Sequence, residues 1–213
     1  MPARRLLASS MDEIGLFPLG LVLLPTEQVP LHIFEPRYRE LITECVDEER
    51  PFGLVYADDD GIRQVGTLAT VVEVTDRFED GRLNIVVEGG DRFKLLELTQ
   101  GRSFQTGTVE PVVDRDDPPS PDEVQQALAL FGRLVELTGA DVEPPAADVE
   151  PPSYAIGSRF ELAAELKLEL LAETSERLRL QRLSEILSTV AAAVERQREI
   201  AERASTNGHV QTT

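Results

Sequence analysis

Tryptophan is absent from this 213-residue chain, which holds one cysteine, two histidines and two lysines. Each scarcity removes a class of chemistry. Cys45 has no partner in the chain, so an internal disulfide framework and a cysteine-built metal site are excluded, and a reducing compartment is permitted. A cytoplasmic location is the expectation. A serine triad needs a histidine beside its serine, and His32 and His209 are the available ones, with no Gly-x-Ser-x-Gly turn anywhere. Lys94 and Lys167 sit in apolar periodic runs without a glycine-rich serine loop near either, so a Ser-Lys dyad has no setting. Gly61 and Gly66 have phosphate-loop spacing, but Thr67 stands where the lysine belongs. Basic residues are outnumbered 21 to 39, for a formal charge of −18, and such a surface repels phosphate backbones. No nucleic-acid partner is expected.

Long apolar runs are missing too. The most apolar stretch, residues 14–34, is broken by Pro18, Pro25, Glu27 and Pro30, whereas a spanning helix needs about 20 mainly apolar residues. No membrane partner is expected. Arg4 and Arg5 precede too few apolar residues for an export signal, and residues 1–11 are expected to form a disordered leader.

From residue 14 to residue 114 the apolar runs are short, β-branched and separated by Gly, Pro and Asp, the pattern of a mostly antiparallel sheet or barrel. Strands are expected at 14–19, 29–34, 52–57, 65–77, 82–89, 92–100 and 104–113. Asp80-Gly81 between two of them is a hairpin turn, since glycine adopts the positive φ such turns require. Gly89-Gly90-Asp91 implies a bend or bulge. One helix interrupts this region: Pro36 suits a first turn, and Tyr38, Leu41, Ile42, Cys45 and Val46 recur at helical spacing.

Beyond Asp114 the pattern changes. Ser120-Pro121-Asp122-Glu123 is a capping box opening a helix with Val124, Ala127, Leu128, Phe131, Leu134 and Val135 on its apolar stripe, and Gly139 stops it. Residues 140–152 read as a stiff acidic linker or lid. From Tyr154 to about Ala204, leucine, alanine, glutamate and arginine predict two short helices and a long one of about 46 Å, with Leu180, Leu183, Leu187, Val190 and Val194 on its stripe. The expected organisation is a leader (1–11), a β-barrel domain (12–115), a helical bundle (116–204) and a disordered tail (205–213).

Candidate chemistry is sparse. His32 alternates with Leu31 and Ile33 on a strand and has no second histidine, cysteine or oriented carboxylate nearby in sequence, so a structural hydrogen bond outweighs a ligand or base. Asp58-Asp59-Asp60-Gly61 resembles a cation loop, yet Thr67 occupies the position of the closing glutamate and a turn explains the run. No catalytic residue, cofactor or metal site is expected.

The segment Ile14-Gly15-Leu16-Phe17-Pro18-Leu19-Gly20-Leu21-Val22-Leu23-Leu24-Pro25, followed by Pro30-Leu31-His32-Ile33-Phe34-Glu35-Pro36-Arg37-Tyr38-Arg39, resembles the opening of the N-terminal domain of Lon ATP-dependent proteases. Val65 to Ala69, Asp80 to Leu83, Gly89 to Phe93, Leu170-Leu171 and Arg177-Leu178 extend the likeness over about residues 14–190. The resemblance implies an α+β chain, a PUA-like antiparallel β pseudo-barrel followed by an α-helical bundle with a long C-terminal helix. It also implies engagement of unfolded polypeptide, while ATP hydrolysis and Ser-Lys proteolysis belong to later domains of that family. On this reading the chain is not an enzyme, and His32, Glu35, Pro36, Arg37 and Tyr38 are a structural signature.

Leu16, Phe17, Leu19, Leu21, Val22, Leu23 and Leu24 cannot all face inward at period two, so some are expected to be exposed or covered by the helical part. Packing of the barrel on the helical bundle is the first explanation; a polypeptide groove is the second, and on it Leu16, Phe17, Leu21, Leu23, Leu24, Pro25 and Phe34 are the candidate binding residues. Expected partners are exposed apolar polypeptide segments, Lon or another protease, or a second copy of the chain. The rival readings are a regulatory or oligomerising subunit docking through its C-terminal helix, and a hydrolase using His32.

Overall fold

The computed structural model describes residues 12–146 and 151–207; the expected leader, most of the expected tail and part of the expected linker lie outside them. The described residues form an α+β fold with six strands and five helices. Two compact units form, one from residues up to Arg115 together with Gly157–Thr174, the other from Asp116–Ile156 together with residues from Ser175 on. The single expected boundary at 115 is thus crossed again at 157 and 174.

In the first unit β1 (Asp12–Leu19) pairs with β6 (Thr106–Pro111) antiparallel and with β3 (Phe52–Asp58) parallel. The parallel pair departs from the antiparallel expectation. Its cause is α1 (Pro36–Asp47), which carries the chain back across the sheet between β2 (Gln28–Ile33) and β3. β3 pairs with β4 (Gly61–Arg77), β4 with β5 (Leu83–Thr99), and β5 with β6, which closes a ring of five strands. Inside it Leu16, Val55, Leu68, Phe93, Leu95 and Val109 form one core cluster. The two strands expected at 82–89 and 92–100 are one, β5. Gly89 to Asp91 make a bulge within it, where the register jumps from Thr67↔Arg92 to Ala69↔Gly89. A β-carbon on Gly89 would lie 2.1 Å from the Leu24 carbonyl oxygen, so the strand passes there as glycine alone allows.

β4 and β5 outrun the ring. Thr70–Arg77 and Leu83–Gly89, with β2 on the far side of β5, form a three-stranded extension. Its inner face packs Ile33, Leu83, Ile85 and Val87 with Tyr38, Leu41, Ile42 and Cys45 of α1 in a second cluster.

The segment after β1 abandons strand alternation at Gly20, so Val22, Leu23 and Leu24 are all buried. Irregular backbone in a core needs partners for its polar groups. Thr67 Oγ1 donates to the Leu23 carbonyl (2.6 Å), Leu24 N–H donates to Glu27 Oε2 (2.9 Å), and the Lys167 ammonium of α4 (Ala164–Ala172) meets the Glu27 carboxylate and the Val22 carbonyl. Arg92, also buried, donates to the Leu171 and Glu173 carbonyls and pairs with Asp114.

In the second unit α2 (Pro121–Thr138) starts at the expected capping box and ends on Gly139 at φ 66°. Pro152, the last residue of the expected linker, opens α3 (Pro152–Gly157), a short helix where one was expected from Tyr154 on. The long helix is α5 (Glu176–Asn207). Gln181 bonds Glu123, and Arg133 bonds Glu195 (2.6 Å), so α2 and α5 run parallel. The α5 stripe is Leu180, Leu183, Ile186, Leu187 and Ala191, and Val190 is exposed against expectation. Arg179 is fully buried, stacked 4.2 Å over the Tyr154 ring and bonded to Ser153 Oγ (2.8 Å) and Glu176.

Candidate functional site

The apolar segment that looked like surplus surface is mostly core. Leu16, Phe17, Leu23 and Leu24 are buried and offer nothing to a ligand, while Leu21 and Pro25 are half-buried. Phe17 stacks on Tyr38 at 4.1 Å. Two causes account for the excess: β1 is covered on both faces, Leu16 inside the ring and Phe17 against α1, and the irregular path after Gly20 buries Leu23 and Leu24. Of the seven candidate residues Phe34 alone is well exposed, at 60%.

Phe34 sits at the end of β2, beside the outer face of the extension. Gln28, Pro30 and His32 lie on that face, since Val29, Leu31 and Ile33 pack inward. Opposite them on β5 stand Glu88, Val86 and Asn84. Register shifts at Val71/Glu73 and Val74/Asp76 mark two bulges in β4. With Val71 and Val74 packed inward, Val72 with Glu73 and Thr75 with Asp76 are left outside.

The His32 ring is the centre of this face. It stacks with Phe34 at 6.0 Å and meets Phe78 edge-on at 6.1 Å. Its Nδ1 lies 2.6 Å from Asn84 Oδ1. Asn84 Nδ2 donates to Asp76 Oδ2 (2.9 Å), which leaves Oδ1 as the acceptor and makes His32 Nδ1 the donor. A hydrogen-bonded row, Asp76 to Asn84 to His32, thus holds the ring flat between two phenylalanines. Among the described residues, the contacts of His32 are Asn84, Phe34 and Phe78, with no hydroxyl or thiol among them. The Arg82 guanidinium covers Phe78 at 5.0 Å and is held by Asp80 at 2.7 Å. Backbone and side-chain hydrogen bonds from Arg82 hold the Asp80 carboxyl below its ordinary range. Phe78 is 38% exposed and Val72 is 47% exposed.

Sequence reasoning missed Phe78, Val72, Asn84 and Asp76. Phe78 carried a signal: a phenylalanine in the turn Phe78-Glu79-Asp80-Gly81 is out of place where solvation favours polar residues. The bulges that expose Val72 carried none.

Pro36 starts α1, Tyr38 is core, and Glu35 and Arg37 pair at 2.8 Å where the helix begins. The depression of about 410 Å³ between the end of α1 and the edge of β4 is lined by Cys45, Val46, Glu49, Arg50 and Thr70 to Val74. Burial pushes the Cys45 thiol up to about 11, so it is no nucleophile at neutral pH. Among the described residues no cluster of His, Cys, Asp and Glu is placed to hold a metal ion, and no helix is long and apolar enough to cross a membrane.

Residues 13–189 match the ATP-dependent protease La (LON) substrate-binding domain. Similar relatives include a Lon protease of Parabacteroides distasonis, 28% identical over 137 residues, covering 60% of this chain and 16% of that protein. One of Anaeromyxobacter dehalogenans is 33% identical over 102 residues, covering 44% of this chain and 12% of that protein. The chain therefore spans a small part of such relatives. Among solved structures, the Lon N-terminal domain protein from Xanthomonas campestris is similar with a TM-score of 0.63 at 26% identity, over 81% of this chain and 97% of that one. The N-terminal domain of a Mycobacterium avium complex Lon protease shares the fold, with a TM-score of 0.64 at 18% identity, over 83% of this chain and 98% of that one.

Proposed function

We propose, from the premise that this chain belongs to the family of ATP-dependent protease La (LON) substrate-binding domains, that it binds exposed apolar segments of other polypeptides without cutting them, as an adaptor in protein quality control. The observation that carries this reading is the aromatic face of the extension. Phe34 is exposed beside an ordered His32 and Phe78, and a solvated apolar surface held rigid by hydrogen bonds suits contact with apolar side chains.

The test is a titration with reduced, alkylated lactalbumin, followed by fluorescence anisotropy. Saturable binding at tens of micromolar is expected, with none of the native protein, and Phe34→Ser weakens it by about five- to tenfold, in line with the loss of one exposed aromatic anchor. Equal binding of native and unfolded lactalbumin, or none of either, refutes the reading. Because Phe34 is exposed, its replacement leaves the core intact.

A further inference from the structure

The direction of each backbone group along β2 follows from one end of it. Gly89 N–H donates to the Glu27 carbonyl (2.9 Å) and Thr26 N–H to the Gly89 carbonyl (2.8 Å), with Thr26 at φ 68°. This is a bulge of the kind that normally places glycine where Thr26 stands, and it makes Glu27 and Gly89 a hydrogen-bonded pair. The register then continues without a slip from Gln28↔Glu88 to Ile33↔Leu83. Alternation aims the N–H and C=O groups of Val29, Leu31 and Ile33 at β5, and those of Gln28, Pro30 and His32 away from it. Pro30 fits that assignment, since a proline turned toward β5 would remove a ladder bond.

Among the described residues no strand pairs with this outer side of β2. It presents two N–H donors, of Gln28 and His32, and three carbonyl acceptors, of Gln28, Pro30 and His32. The other open edge of the extension is β4 beyond Ala69, where pairing with β3 stops. There the bulges at Val72 and Thr75 bend the strand and spoil a pairing template, whereas β2 is regular. The exposed face beside β2 carries Glu73, Asp76 and Glu88 and the turn carries Glu79, against Arg77 and Arg82, and Arg82 is already paired with Asp80. Acid is in excess around the aromatic patch.

We infer that the outer edge of β2 takes an extended polypeptide segment as an added strand, its alternate side chains lying over Phe34, His32 and Phe78, and that it favours segments mixing apolar with cationic residues. The inference rests on the polypeptide-binding reading and supplies its mode. Backbone bonds to Gln28 and His32 hold any extended sequence, the aromatic patch selects apolar side chains, and the surrounding carboxylates select arginine or lysine.

A fluorescein-labelled nonapeptide with leucine and arginine taking turns at its odd positions and threonine at its even ones tests it, alongside one analogue N-methylated at every odd-position amide and one at every even-position amide. In an added strand only one parity of amides faces β2. One analogue therefore loses at least about fivefold in affinity, as expected for lost hydrogen bonds, and the other stays within about twofold. Replacing arginine by glutamate weakens the peptide, and Pro30→Ala, which restores a third outward donor, tightens it. Two analogues that bind alike, whether both retain or both lose affinity, overturn strand addition. If they bind alike while unfolded lactalbumin still binds in a Phe34-dependent way, polypeptide binding stands and this mode falls. If neither peptide nor lactalbumin binds, both fall.

Discussion

Thr26 is a β-branched residue held at φ 68°, a conformation glycine enters freely and other L-residues enter at a cost of about 1–2 kcal/mol. Thr26→Gly is expected to stabilise the protein by about 1 kcal/mol, less the entropy glycine adds to the unfolded chain, read as a higher urea midpoint at unchanged slope. The buried Lys167–Glu27 pair gives the opposite sign. Lys167→Met strands a carboxylate in the core and is expected to cost about 3–5 kcal/mol, while Lys167→Met with Glu27→Gln costs less than the single change. A double variant as unstable as the single one would show that the ammonium's other contact, to the Val22 carbonyl, matters more. Cys45 adds a pH dependence. Its thiol is raised from 9.0 to about 11 by burial, so the unfolded chain loses that proton first and stability falls as pH rises from about 9 to 11. Cys45→Ala removes that part of the slope, checked by urea midpoints across the alkaline range.

At the scale of elements, α2 depends on its first turn. The Glu123 N–H donates to Ser120 Oγ at 3.3 Å, and Ser120 N–H donates to Glu123 Oε2 at 2.8 Å. Ser120→Ala is expected to cost about 1 kcal/mol by thermal or urea unfolding. The same backbone bond from Ser120 holds the Glu123 carboxyl below its usual range. A lowered carboxyl contributes stability above its unfolded value and loses it as pH falls, so the penalty of Glu123→Gln, which removes that charge, shrinks as pH falls below about 4.5. The extension is the other element of consequence. Its inner face is fastened to α1 and its outer face is ordered by the Asp76–Asn84–His32 row, so an aromatic surface stays exposed without collapsing. Asn84→Ala is expected to leave the inner core intact yet loosen the His32 ring, measured as faster imidazole ring dynamics by NMR.

For the whole molecule, a charge of −18 favours cationic clients at low salt. Raising ionic strength from about 0.05 M to 0.5 M shortens the screening length severalfold and is expected to weaken the leucine–arginine peptide, with the all-leucine contribution persisting. α5 has 32 residues, about 48 Å at 1.5 Å each, against 18 residues in its parallel partner α2, and Ile200 near its end is exposed. Removing residues after Ser188 is expected to leave the fold of the first unit unchanged by circular dichroism of its β signal.

What residue order settled by itself is what depends on near neighbours. The capping box at Ser120, the αL stop at Gly139, Pro36 at the first turn of α1 and the Asp80-Gly81 turn are contacts within a few residues, so type and spacing suffice. The opening motif likewise pointed to the family that the match over residues 13–189 shows. Tertiary structure decided the rest. Leu16, Phe17, Leu23 and Leu24 read as excess surface because alternation cannot bury them all on one face, yet β1 is covered on both faces and an irregular path closed by Thr67, Glu27 and Lys167 buries Leu23 and Leu24, with partners up to 145 residues away. Phe34, His32, Phe78, Asn84 and Asp76 are joined through the pairing of β2, β5 and β4, a long-range register on which β-bulges act and which no local pattern encodes.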